Sequence, residues 1–320
     1  LDKVLGKKKE YKSKEYSQIL YERIENSYPI PLIRHHFGLP SLEKTIDGVK
    51  DIANSKTVDI ISIGPDQIAQ ECFFNQDNAC KEFEGGGGVP LRKKEDLVSL
   101  YKSSRLGNFP LLRCYAGTND LIKWGSMLKE TINNAWGAIP LFWYSELDGR
   151  SKRDLISAIS ENQKTIKWHA DNHVPVEIND SHQWALRKTT DPIEVASAYI
   201  ATYNAKKLGV RHYIQQFMMN VPPEISLEMD IAKMLAKLEL ILELSNDGFT
   251  ILRMIRTGLA SLSVDEDIAK GELASSITIG MYLNPHIVHV VGYSEAYNVA
   301  TPEVIIESSK IAKGVIKNCL

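Results

Sequence analysis

Eight short runs rich in β-branched and aromatic residues recur along the chain, with longer amphipathic stretches between them, and this rhythm limits the fold more than any other feature. The runs are PLIR near 31–34, TVDIISIG at 57–64, FPLLRCY at 109–115, AIPLFWY at 138–144, VPVEIN at 174–179, VRHYIQQF at 210–217, FTILRMI at 249–255 and HIVHVV at 286–291. The stretches between carry helix signals. Ser41 is placed to cap SLEKTIDGVKDIA, Asp191 and Pro192 open a helix that stops at Gly209, and Thr301 and Pro302 open another. Eight strands, each followed by a helix, is the count of an α/β (β/α)8 TIM barrel; an open doubly wound sheet is the alternative. The charged segment 1–28 reads as a peripheral N-terminal helical extension, and 29–320 as the catalytic barrel.

Length and charge agree with one such barrel. The chain has 320 residues, and its net charge of -2 gives no electrostatic case for nucleic acid. No apolar run approaches the ~20 residues needed to span a membrane. Cys72, Cys80, Cys114 and Cys319 form no C-x-x-C pair, and no signal peptide is visible, so a reduced, cytoplasmic protein is expected. The Asn179-Asp180-Ser181 sequon would be idle there. The chain begins with Leu1 rather than Met, which leaves open whether a segment precedes it.

A barrel enzyme carries its chemistry where strands end. Those positions hold Arg34, His35 and His36, then Asp66 and Gln67, then Arg113, Tyr115 and Thr118, then Tyr144, Glu146 and Asp148. Beyond them come Glu177, Asn179 and Asp180, then Gln215, Gln216 and Asn220, then Arg256, and finally His289 and Glu295. Strand ends are polar in any water-soluble protein, but Arg113 and Glu177 interrupt otherwise apolar runs, where an unpaired charge is costly. Each is either a functional group or half of a buried ion pair. His169 and His173 lie four apart in WHADNH without a third ligand, so no metal is expected. Trp124, Trp136 and Trp168 read as packing.

The run CKEFEGGGGVPLRKKEDL, 80–97, holds four consecutive glycines. Val89 and Pro90 follow Gly88 where a phosphate loop requires G-K-[ST], and no strand runs directly into the glycines as a dinucleotide fingerprint requires. The run lies in the long connection after the second strand. Gly85, Gly86, Gly87 and Gly88 are therefore read as backbone that approaches a large flat cofactor or a partner; a bare hinge is the alternative.

The order of motifs IRHHFGLPSLE, LRCYAGTND, NNAWGAIPLFWY, VPVEIND, AKKLGVRHYIQQF, SLSVDEDIAKG and HIVHVVGYSEAYNVATPEVIIESSKIAKGVI resembles the catalytic barrel subunit of coenzyme B12-dependent glutamate mutase (methylaspartate mutase). The resemblance implies a mutase-type isomerase that uses adenosylcobalamin. The cofactor would come with a small partner subunit carrying D-x-H-x-x-G, in an oligomeric assembly. The nearest motif here, DSHQWA, has Ala185 in the glycine position, so His182 is not expected to ligate cobalt.

By that resemblance Arg34 and Arg113 grip substrate carboxylates, and Lys167 stands where a third arginine belongs. Either Glu177 or Asp180 meets a substrate amine, and His36 and Tyr144 form pocket wall. Glu295 faces the adenosyl ribose, with Val291 or His289 at the family's lysine position. Gly64, Thr118, Asn220 and Arg256 are assigned to the cofactor side with the glycine loop. Two other classes stay open: a cobalamin-independent isomerase or lyase with Glu177 or Asp180 as general base, and a barrel kept for assembly without catalysis.

Overall fold

The computed structural model describes residues 16–75, 85–149 and 152–320, so Cys80 and the basic GKKKEYKSK stretch lie outside the described residues. Its eight strands are β1 (Leu32–Phe37), β2 (Ile60–Ile63), β3 (Leu111–Cys114), β4 (Gly137–Ala138), β5 (Val176–Glu177), β6 (His212–Met219), β7 (Thr250–Thr257) and β8 (Ile287–His289). Around them run α1 (Leu20–Ser27), α2 (Leu42–Ser55), α3 (Gln67–Cys72), α4 (Lys94–Ser103), α5 (Leu121–Ile132), α6 (Leu155–Asp171), α7 (Asp180–Ala185), α8 (Asp191–Lys207), α9 (Leu227–Leu242), α10 (Glu266–Gly280) and α11 (Pro302–Cys319). All strand pairings are parallel, in the order β3-β2-β1-β8-β7-β6-β5-β4. Because β1 pairs with both β2 and β8, the order is cyclic in the chain. The outer strands β3 and β4 meet through the Ala135 amide, which donates to the Leu112 carbonyl at 2.9 Å, and through Asn134 Oδ1, which accepts from the Cys114 amide at 3.0 Å. This is a nearly closed (β/α)8 barrel, not an open doubly wound sheet.

Local chemistry explains the helix starts. Ser41 caps α2 and Thr301 caps α11, each side chain accepting a bond from the third helical amide. Thr190, not Asp191, is the cap residue of α8, which moves Pro192 one place further into the first turn.

The fourth run departs from expectation. AIPLFWY is strand only at its first residue. Pro140 has no amide proton to give a ladder, and the next two amides, Leu141 and Phe142, donate to the Asp180 carboxylate at 2.6 and 2.8 Å. The chain therefore leaves the sheet and forms the rim.

Strand alternation sorts the interior into two layers. Near the N-terminal end, Leu32, Ile60, Leu111, Trp136, Ile214, Leu252, Met254 and Ile287 fill the barrel. Leu20 and Ile24 of α1 join that cluster, and Arg23 donates to the carbonyls of Phe109 and Asn108 at 2.7 and 2.5 Å. The described part of the extension thus plugs the bottom of the barrel with residues spaced three and four apart, rather than lying at the periphery. Toward the C-terminal end the inward residues turn polar. No described helix is long and apolar enough to cross a membrane.

Candidate functional site

The polar layer follows from register. Arg34 on β1 pairs with His289 on β8, which pairs with Arg256 on β7, while Ser62 on β2 pairs with Arg113 on β3. Paired residues in adjacent strands point to the same face, so this set converges inside the barrel mouth. Arg34 is 1% exposed; its Nε donates to Ser62 Oγ at 2.7 Å and its Nη2 lies 3.2 Å from His36 Nε2. Burial, then the nearby Arg113 charge, lowers the Arg34 guanidinium to about 9, so it stays protonated at neutral pH.

Glu177 is the carboxylate at the centre. Its Oε2 accepts from Trp136 Nε1 at 2.7 Å and from Arg113 Nη2 at 3.4 Å, and lies 3.9 Å from Arg34 Nη1. Arg113 is fully buried and packs against the rings of Tyr115 and Trp136, its guanidinium carbon 4.4 and 5.4 Å from their centroids. Its Nε and Nη1 have no hydrogen-bond partner. Burial, reinforced by Arg34, holds His36 and His289 neutral, with ring pKa values well below the ordinary histidine value. His182 is held neutral by burial and the Arg256 charge.

Two hollows open above this layer. The smaller, 210 Å³, is lined by Arg34, Tyr115, Tyr144, Glu177, Gln216 and Arg256 among others. The larger, 530 Å³, includes His36, Glu295, Tyr297 and Asn298. Gly64, Gly87 and Tyr115 belong to both, so the two adjoin. A Cβ on Gly64 or Gly87 would meet no heavy atom within 4 Å, which leaves open space at the shared rim.

The glycine loop is stitched to the end of β2. The Val89 amide donates to the Gly64 carbonyl at 2.8 Å, the Gln67 amide to the Gly86 carbonyl at 3.0 Å, and the Gly85 amide to Asp66 Oδ2 at 2.9 Å. Arg92 grips the same Asp66 carboxylate with two nitrogens, at 2.9 and 2.5 Å. A Cβ on Gly88 would sit 2.1 Å from the Gly64 carbonyl oxygen. The close backbone approach at Gly88 is therefore within the chain, and Gly87 is the glycine that faces the hollows.

The expected site residues divide into several groups. Arg34, Tyr144, Glu177, Gly64, Gly87 and Arg256 line the small hollow, and His36 and Glu295 the larger one. Arg113 lies behind Tyr115 and lines neither. Asp180 is spent bracing Leu141 and Phe142, and burial raises its carboxyl to about 7; of the pair left open by sequence, Glu177 is the one facing the hollow. Lys167 lies on the outer face of α6, paired with Asp171 one turn on, far from the substrate role expected of it. Thr118 bonds to the Gln70 carbonyl and lines a peripheral groove, and the Asn220 amide is held by Asp230. His289 lies under His36, ring centroids 4.4 Å apart, and Glu295 is 3.5 Å from His35 Nε2.

Trp136, which reads as packing in the sequence, and Ser62, which nothing there singles out, both hold charged groups of the site. The signal for each is its inward position in line with Glu177 or Arg34. No group of three or more metal-ligating side chains occurs among the described residues.

The fold and site define a (β/α)8 barrel whose mouth is a guanidinium-rich, carboxylate-centred cleft. No family model and no curated protein matches the sequence.

Proposed function

We propose that the chain is the catalytic barrel of a mutase-like isomerase acting on a small carboxylate, in the cytoplasm, with adenosylcobalamin brought by a small partner subunit carrying D-x-H-x-x-G. The observation that carries this reading is the pair of adjoining hollows: a small one with Arg34 and Glu177 on its wall, and a wider one with Glu295 and open glycine backbone. Arg34 offers a planar two-pronged donor to a carboxylate. Glu177 offers an acceptor to a substrate ammonium or hydroxyl.

The wider hollow fits an adenosyl group. Glu295 is a half-buried carboxylate for ribose hydroxyls, Tyr297 and His36 are rings beside it, and Gly64 and Gly87 leave the rim free of side chains. When bound, the cofactor supplies a radical able to take a hydrogen atom from an unactivated carbon and return it. The chain's part is to orient the substrate, hold its charge and keep water away while a partner covers the mouth.

The test is reconstitution with a cognate cobalamin-binding protein and adenosylcobalamin. A paramagnetic signal that appears on adding a small carboxylate supports the proposal. A silent mixture across amino- and hydroxy-carboxylates, with a partner shown to bind, overturns it.

A further inference from the structure

We infer that Arg256, rather than Arg113, is the second guanidinium that meets the ligand, and that it selects for a second anionic group opposite Arg34. This rests on the carboxylate reading above. Arg34 and Arg256 both line the small hollow; Arg113 does not. Arg113 already faces Glu177 and is covered by the Tyr115 ring, so its work is to hold Glu177 from behind.

Arg256 shares a buried, unpartnered Nε with Arg113, but it stands on the wall of the hollow, and no carboxylate pairs with it among the described residues, whereas Arg113 has Glu177. Gln216 lines the same wall, is 2% exposed, and its Nε2 is likewise buried without a partner. Such buried donors are costly unless something accepts from them. Arg256 stands on β7 and Gln216 on β6, paired with Met254 two residues before Arg256. Together they present unpaired donors on one side of the hollow, while Arg34 and Glu177 occupy other strands.

The wall charges count the same way. Two guanidinium groups and one carboxylate line the hollow, and the Arg113 charge lies just behind. The carboxylate held by Arg34 offsets one of the two excess positive charges, and an anion at the β6–β7 wall offsets the other. The hollow measures 210 Å³, room for a small carboxylic acid.

The experiment is calorimetric titration of the purified chain with succinate and with butyrate, which differ only in replacing one carboxylate by a methyl group. Wild type is expected to prefer succinate. Arg256→Gln is expected to weaken succinate by about 10- to 100-fold, to leave butyrate within about twofold, and Arg256→Lys to recover part of the loss. Equal weakening of both acids, or no change for succinate, overturns the inference and leaves the carboxylate reading standing, provided Arg34→Gln abolishes binding of both. If neither acid binds wild type, that reading falls and this inference with it. A thermal melt of each variant close to wild type shows that a changed affinity is not unfolding.

Discussion

The Tyr115 hydroxyl lies 2.5 Å from Nε2 of His36, with the two rings stacked at 4.8 Å and 6° apart. The same nitrogen lies 3.2 Å from Arg34 Nη2. A guanidinium only donates, so the Arg34 contact favours the tautomer in which His36 Nε2 accepts and the proton sits on Nδ1, a buried nitrogen with no partner of its own. Tyr115 therefore donates to His36 and keeps its oxygen lone pairs for the hollow it lines.

Tyr115→Phe removes that donor and the acceptor facing the ligand. A stability loss of about 1 kcal/mol is expected, together with weaker binding of ligands bearing an ammonium or hydroxyl and little change for a plain carboxylate. Nitrogen NMR of His36 checks the tautomer directly: protonation at Nε2 contradicts the assignment.

Glu177→Gln leaves the buried Arg34 and Arg113 guanidiniums without their counter-charge. Removing one partner of a buried pair costs roughly 3–5 kcal/mol. The urea midpoint is expected to fall accordingly, and the vacated charge should make simple anions stabilise the variant more than wild type. A stability within about 0.5 kcal/mol of wild type, a neutral effect, would show that the arginines do not depend on this carboxylate.

Acid is expected to destabilise the fold once the pH falls below the ordinary histidine value. His35, His36, His169, His182 and His289 are all held below the ordinary histidine value, burial being the first cause in each. Each is neutral when folded and gains a proton when unfolded below about pH 6.5, so stability is full above that pH and falls as pH drops. The slope is about 1.4 kcal/mol per pH unit for each such histidine. Asp180, raised to about 7, acts in the opposite sense: its contribution is present at low pH and is lost as pH rises from its unfolded value through 7. Asp59 and Asp230, also raised by burial, act in the same sense as Asp180; the five histidines outnumber these three carboxylates and set the net direction. A urea midpoint that rises as the pH is lowered from about 7 to about 5 would refute this.

Gly88→Ala and Gly87→Ala separate the two roles in the glycine loop. At Gly88 the new methyl meets the Gly64 carbonyl, and the strain is backbone against backbone. A loss of about 2 kcal/mol or more is expected, within the range of overpacking effects. At Gly87, φ is +79° and the space is open, so the cost is the left-handed conformation, about 1–2 kcal/mol. Thermal melts compare the two; equal losses would mean that Gly88 is free to shift.

The eight-strand rhythm, the caps at Ser41 and Thr301, and the placement of Arg34, Glu177, Gly64 and Arg256 at strand ends are legible in the sequence because they are local. A capping oxygen, a β-branched run and a charge inside an apolar run each act over a few residues. The end of strand four is not legible, because Asp180, 39 residues from Leu141, takes the amides that a ladder would need. The position of Lys167 is not either, since a helix turns each residue to one of several faces and only packing selects among them.

The same division holds for the site. Chain order and strand alternation set which residue types reach the barrel mouth, and both can be read along the chain without knowing how it folds. Which guanidiniums share a hollow is settled only when the barrel closes. Register between neighbouring strands puts Arg34, His289 and Arg256 in one layer, and the Tyr115 ring, just past the end of β3, covers Arg113. Contacts of that kind depend on how separate strands slide and pack against one another, and no single stretch of chain encodes them.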